Sequence, residues 1–439
     1  MQSPPLWSRR RIIAGPGLTL TGLVLPRAGI AQQPGAADGV QVIRARLGTV
    51  ALRGPSETAT AVWGFDGNVP GPLLRVRRGE EMRVRVATEL TDAIAVHWHG
   101  VRVPSAMDGV PYLTQPQIAP GASFDYRFTP SDAGTFWYHC RLSPSAASRR
   151  SLYGVLIVDE AERLEVDRDV VLVLDDWRLN ADGTMADGKQ VGATRRVTIN
   201  GGPSFDIPLR GNERARLRLI NASLRVLPLR VERHRVMVMA IDGEPAQSYY
   251  PRDSRIQLGP GNRIDLFVDA VLEPGASSSI VLEGERETVL ARLTYDAGAR
   301  ARPAPLPEAM PLPPNPLPER MDFQRSLKLD VRIDGKAADL QELAKARPLF
   351  SVKRGRTVML GFVNRTTSAQ ALHLHGHHFR LLDSLDDGWK PFWLDTLPVP
   401  ASQTARIAFV ADNPGKWLIR SHPVEEQDAS MAAWFEVTS

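Results

Sequence analysis

The sequence has a single cysteine, Cys140, so no internal disulfide can staple the chain. Its compartment therefore cannot be read from cysteine pairing. Histidine is also scarce, at nine residues. No apolar run reaches the roughly 18–20 residues that a membrane-spanning helix needs, which argues against a helical span. Acidic residues are missing from positions 1–31, where Arg9, Arg10, Arg11 and Arg27 carry four of the five excess positive charges. The rest of the chain is close to neutral, and this excludes the broad basic footprint of a nucleic-acid binder. What is plentiful is turn chemistry. Glycine and proline number 35 each, which favours many short strands over long helices. At 439 residues, with 43% apolar and 23% charged residues, the chain reads as a soluble globular protein of two to four domains.

The leader has an address. Ser8-Arg9-Arg10-Arg11-Ile12-Ile13 opens a modest apolar stretch to about Leu25, and Gly29 and Ala31 supply small residues at −3 and −1. This pattern reads as a twin-arginine-type signal over residues 1–31, cleaved before Gln32, with the mature protein in the periplasm.

One unit recurs three times. Arg78-Gly79, Arg210-Gly211 and Arg354-Gly355 each precede an alternating segment: Met82–Val86, Ala215–Asn221 and Val358–Asn364. Period-two alternation marks half-buried strands. Eighteen residues beyond the glycine lie His97 in the first copy, Leu229 in the second and His373 in the third. The outer copies also share a closing landmark. Gly134 precedes His139 by the spacing at which Gly415 precedes Arg420, so His139 corresponds to Arg420 and Arg141 to His422. The expected units are 38–160, 161–300 and 321–439. A stiff linker spans 301–320, where positions 303–318 hold eight prolines. Such units suggest Greek-key β-sandwiches or barrels.

Eight of the nine histidines fall in four clusters, at 97/99, 139, 373/375/377/378 and 422. On a strand, residues i and i+2 share a face, so a His-x-His pair presents two imidazoles to one site. Two such strands from different domains can enclose metals, and imidazole suits copper and zinc.

These residues resemble a known family. His97-Trp98-His99-Gly100, Met107-Asp108-Gly109-Val110-Pro111 with Thr114-Gln115, Phe136-Trp137-Tyr138-His139, His373-Leu374-His375-Gly376-His377 and the segment Trp417–Met431 are similar to the motifs of three-domain multicopper oxidases of the bacterial laccase type. The resemblance covers essentially the whole mature chain. It implies an all-β fold of three cupredoxin-like Greek-key β-sandwich domains. It further implies a type 1 copper in the third domain that takes electrons from substrate. A type 2 copper and a type 3 pair between the first and third domains would reduce oxygen to water.

The departures sort by metal. At the type 1 ligand positions stand Gln370, Ser421 and Glu426, and only Met431 matches. A blue copper requires a thiolate, which serine does not supply. His97 and His373 match the type 2 ligands. His99, His139 and His422 match one type 3 copper. The other type 3 copper matches His375, with Arg141 and Arg420 in place of its two remaining histidines. Arginine offers no lone pair to a metal, so two guanidinium groups are expected to fill that volume. Asp108 matches the family's acidic proton relay and reads equally as a turn-forming Asp-Gly. Gln427 replaces a second acid. His377 and His378 are expected to pack, or to support the ligands from behind, rather than to ligate, His234 to lie at the surface, Cys140 to point away from the site, and Met431 to be packed.

Three functions follow. The first is a degenerate oxidase that binds copper at His97, His99, His139, His373, His375 and His422 without laccase turnover. The second is a copper-free periplasmic binding or scaffold protein, like the division-associated member of the family. The third is an oxidase with an unusual electron route. Expected partners are a metal ion and, in the scaffold reading, a periplasmic protein, with no nucleic acid and no membrane span, around a monomer.

Overall fold

The computed structural model describes residues 39–140, 151–186, 192–318, 320–335, 339–382, 390–424 and 431–439. The leader, Arg141, Glu426 and Gln427 lie outside the described residues. Among the described residues the architecture is almost wholly β, with six sheets arranged as three sandwiches.

The first sandwich pairs the sheet of Thr60–Phe65, Gln41–Val50, Met82–Thr88 and Ser123–Phe128 with the sheet of Leu73–Arg77, Tyr153–Asp159, Gly134–His139 and His97–His99. The second is built from strands between Arg168 and Arg300, and the third from strands between Leu327 and Thr438. The threefold repeat is visible in the pairing. In each copy the strand after the Arg-Gly turn runs parallel to an earlier strand, with Ile43 opposite Val86, Val170 opposite Leu217, and Leu329 opposite Leu360. Its other edge is antiparallel to a later strand. This crossover makes each unit a cupredoxin-like Greek-key sandwich rather than a simple meander.

Each sandwich encloses its own apolar core. Met82, Val84 and Val86 face inward while Arg83 and Arg85 face out, as alternation requires. The second copy departs from that pattern. Arg214–Asn221 is buried on both faces, and Arg216 and Arg218 are only 2% and 1% exposed. Its polar face is turned against the first sandwich and is neutralised by carboxylates on both sides of that contact. Arg216 donates to Asp265 and Glu160, and Arg218 to Asp169 and to Thr135. Apolar alternation alone cannot distinguish this covered face from a solvated one.

The sandwiches are tied to each other. Trp137, Val155 and Ile157 of the first pack with Val173, Trp177 and Ile220 of the second. Val110 and Leu113 of the first pack with Leu418 and Trp434 of the third. The proline-rich segment is docked rather than free. The carbonyls of Pro307, Pro314 and Pro316 accept from Arg214, Arg78 and Arg102, and Asn315 bonds both Ala133 and Glu244. No helix among the described residues is long and apolar enough to cross a membrane.

Candidate metal centre

Strand geometry brings the histidines together. His97–His99 pairs antiparallel with Gly134–His139, placing His97 opposite His139. In the third sandwich, Gln370–Leu374 pairs with Gly415–Pro423, placing Ala371 opposite His422 and His373 opposite Arg420. Trp98 and Cys140 project to the other side, into the core of the first sandwich. Burial pushes the Cys140 thiol up, so it stays protonated and inert.

His97, His99, His139, His373, His375 and His422 all line one small cavity between the first and third sandwiches, together with Trp137, Thr396 and Arg420. Its volume is about 20 Å³, room for about one water molecule or one ion. The rings pack closely across the interface, the first pair stacked and the second tilted by 31°. His99 lies on His373 with centroids 3.7 Å apart, and His97 on His375 at 3.8 Å.

Two buried aspartates set the tautomers, through backbone carbonyl and carboxylate, with an approximate two-fold relation. His97 Nδ1–H donates to the Asp108 carbonyl at 2.9 Å, and His373 Nδ1–H donates to the Asp395 carbonyl at 2.9 Å. Each carboxylate then reaches across the interface. His375 Nδ1–H donates to Asp108 Oδ2 at 2.9 Å, and His99 Nε2 stands 3.3 Å from Asp395 Oδ1. The Thr396 hydroxyl donates to Asp395 Oδ1, so it accepts from His99 Nε2–H at 2.8 Å. Fixed in this way, the lone pairs of His97 Nε2, His373 Nε2, His375 Nε2 and His99 Nδ1 remain available.

The consequence is an uncompensated contact. His97 Nε2 and His373 Nε2 face each other at 3.1 Å. With both Nδ1–H groups donating to backbone carbonyls, the neutral rings present two lone pairs to each other, and a shared proton or a cation would join them. His99 Nδ1 stands 3.2 Å from His139 Nε2. A cation between facing nitrogens turns this repulsion into attraction. Two nitrogens about 2.0 Å from one ion at a near-right angle stand about 3 Å apart. The residues present therefore fit a nitrogen-ligated metal.

Electrostatics point the same way. Burial pushes the His99 and His373 imidazoles below their usual range, and lowers His375 to about 3, so all three are neutral near pH 7. Burial alone would raise Asp108, but His375 and His97 outweigh it and hold the carboxyl well below the usual range. Burial is likewise overcome at Asp395, chiefly by the Arg263 charge. Arg263 is fully buried and grips Asp395 through two N–H groups at 2.9 and 2.6 Å. It passes directly beneath Gly100, whose φ of +86° and close approach to this ion pair exclude a side chain.

Three family models, each described as multicopper oxidase, match residues 48–163, 168–281 and 313–439. The crystal structure of Lac15 from a marine microbial metagenome is 33% identical with a TM-score of 0.77, and the match covers 90% of this chain and 100% of that one. The chain belongs to the multicopper oxidase family. A multi-copper oxidase from Pseudomonas thermotolerans is 31% identical with a TM-score of 0.79, over 91% of this chain and 99% of that one. Multicopper oxidase MmcO of Mycobacterium tuberculosis is 28% identical over 428 residues, covering 84% of this chain and 81% of the relative.

Within this family member, Gln370, Ser421 and Met431 also stand together. Ser421 Oγ donates to Gln370 Oε1 at 3.0 Å and accepts from the Met431 backbone N–H at 3.1 Å. Met431 packs in the core of the third sandwich, and Glu426 lies outside the described residues. His377 packs against Phe409, Trp417 and Phe435. Asp395, Thr396 and Arg263 went unrecognised in the sequence. Asp395 follows His373 by 22 positions and belongs to no spacing pattern, and Arg263 is in a different sandwich.

His234 corrects the surface expectation. It is 7% exposed, donates from Nδ1 to the Glu232 carbonyl, and accepts from the Tyr295 hydroxyl at 2.5 Å. An isolated polar residue in a turn gives no sign of the aromatic partner that buries it. Burial lowers its proton affinity in the folded state. The unfolded chain therefore binds more protons as pH falls below about 6.5, and the contribution present above that value is lost on acidification. His234→Gln should lose less stability than the unmodified protein between about pH 7.5 and 5. Urea unfolding at the two pH values tests this, and equal losses would contradict it.

Proposed function

We propose that this chain is an exported copper-binding protein on the multicopper oxidase fold, without the family's laccase turnover. The observation that carries the reading is Ser421. It stands at the position of the type 1 thiolate, and its hydroxyl is consumed by Gln370 and the Met431 backbone. Neither a serine hydroxyl nor a glutamine amide fits a blue copper, which depends on thiolate bonding. Arg420-Ser421-His422 also lacks the covalent sulfur bridge by which electrons would pass to the inner metals.

The inner site fits copper better. His97 and His373 would hold the type 2 ion, and His99, His139 and His422 one type 3 ion. His375 would be left beside Arg420, which lines the same cavity. Bound copper would supply a redox-active Lewis acid. Asp108 acts in this reading chiefly by orienting His97 through its backbone carbonyl and His375 through Oδ2. The twin-arginine leader directs the protein to the periplasm.

Elemental analysis of protein purified from the periplasm tests this. Copper should be retained, and the His97→Ala/His373→Ala double variant should lose the equivalent held by those two rings. Asp108→Asn should weaken copper binding by about 10–100-fold, the usual effect of removing a group that orients a ligand. Arg420, which lines the same cavity, favours the copper-free scaffold as the second reading. That reading gives protein without copper even after loading.

A further inference from the structure

A second buried cluster of ligating side chains lies where the three sandwiches meet. Asp132 comes from the first, Glu244 from the second and His378 from the third. They are 2%, 1% and 4% exposed. One ligating atom of each lies within 4.8 Å of the others. This group shares no residue with the imidazole cluster, although Asp395 stands between the two.

Its polar atoms are incompletely paired. Among the described residues, Glu244 Oε1 and both ring nitrogens of His378 have no hydrogen-bond partner. His378 Nε2 stands 3.5 Å from Glu244 Oε1 and 3.7 Å from Asp395 Oδ2. Buried polar atoms are almost always satisfied, so a carboxylate oxygen and an imidazole nitrogen left facing each other call for a shared partner. The spacing is informative. An oxygen and a nitrogen about 2.0–2.2 Å from one ion, at a near-tetrahedral angle, stand about 3.5 Å apart. The neighbouring atoms are already held in place. Asn315 Nδ2 donates to Glu244 Oε2 at 2.9 Å, and Arg102 grips both oxygens of Asp132 at 2.7 Å.

Charge leads to the same conclusion. The buried carboxylates at this junction are Asp132, Glu244, Asp242 and Asp395, and the guanidinium groups against them are Arg102 and Arg263. Four potential negative charges face two positive ones in a site closed to water. Uncompensated buried charge is unfavourable, and two protons or one divalent cation would balance it.

We propose that Asp132, Glu244 and His378 form a structural divalent-metal site that joins the three sandwiches, with zinc suited to its one-nitrogen, two-carboxylate donor set. His378 thereby becomes a ligand, contrary to its packing role in the sequence reading.

The test uses the full chain, stripped with chelator and dialysed against zinc chloride, with bound zinc counted by elemental analysis. Unmodified protein should hold one zinc more than either His378→Asn or Glu244→Gln. Its zinc-dependent rise in melting temperature should shrink in both variants. Circular dichroism confirms that each variant is folded. A third arm leaves the junction intact: the His97→Ala/His373→Ala variant should still hold zinc, and should hold one fewer when His378→Asn is added. Equal zinc in the unmodified protein and both junction variants would overturn the proposal, as would complete loss of zinc from the third variant.

Discussion

Copper-loaded protein will oxidise phenols no faster than free copper does, will take up no oxygen with them, and will lack intense blue absorption. Enzymes typically turn over at roughly 1–10³ s⁻¹, so the expected loss is of the whole activity rather than of a fraction. The cause is local. Ser421 and Gln370 saturate one another by hydrogen bonding in the volume where a thiolate and an imidazole would meet. Restoring the missing groups should separate colour from catalysis. Gln370→His, Ser421→Cys and Glu426→His together should produce the blue band. Oxygen reduction should stay low, because Arg420 still lines the inner cavity and a guanidinium cannot ligate. Rapid oxygen uptake by the unmodified protein would refute this explanation.

The second large effect concerns stability. Arg263→Met should destabilise the protein by about 3–5 kcal/mol, the cost of leaving a buried ionic partner uncompensated. Arg263 is fully buried, binds Asp395 through two N–H groups, stands 3.6 Å from Asp242, and donates to the carbonyls of Thr135 and Asp242. Asp395 in turn holds His99 and His373. The variant should therefore also bind copper more weakly. Arg263→Lys should recover only part of both losses, since an ammonium group cannot reproduce the two-pronged contact. Urea unfolding followed by tryptophan fluorescence reads the first effect and copper titration the second. An unchanged unfolding midpoint would contradict the role given to this ion pair.

Much of the architecture could be read from spacing. The three Arg-Gly turns and the positions eighteen residues beyond them identified a repeated β unit, because a strand's alternation and its turn are encoded within a dozen neighbouring residues. The two His-x-His strands could be read for the same reason. What could not be read depends on contacts made far apart in sequence. The Arg216 and Arg218 face looks solvated until the first sandwich covers it. His234 looks exposed until Tyr295 closes over it. Asp395 and Arg263 orient the cluster from positions with no motif of their own. His378 gave no hint of Glu244 and Asp132, since each comes from a different sandwich.

The central claim is that surviving imidazoles form a copper site while the electron-entry site has been replaced by a hydrogen-bonded serine and glutamine. Anomalous diffraction at the copper edge, from crystals of copper-loaded protein, tests it most directly. The account predicts a peak between His97 Nε2 and His373 Nε2 and none beside Ser421 and Met431. A peak at Ser421, or no peak among the histidines, would contradict it.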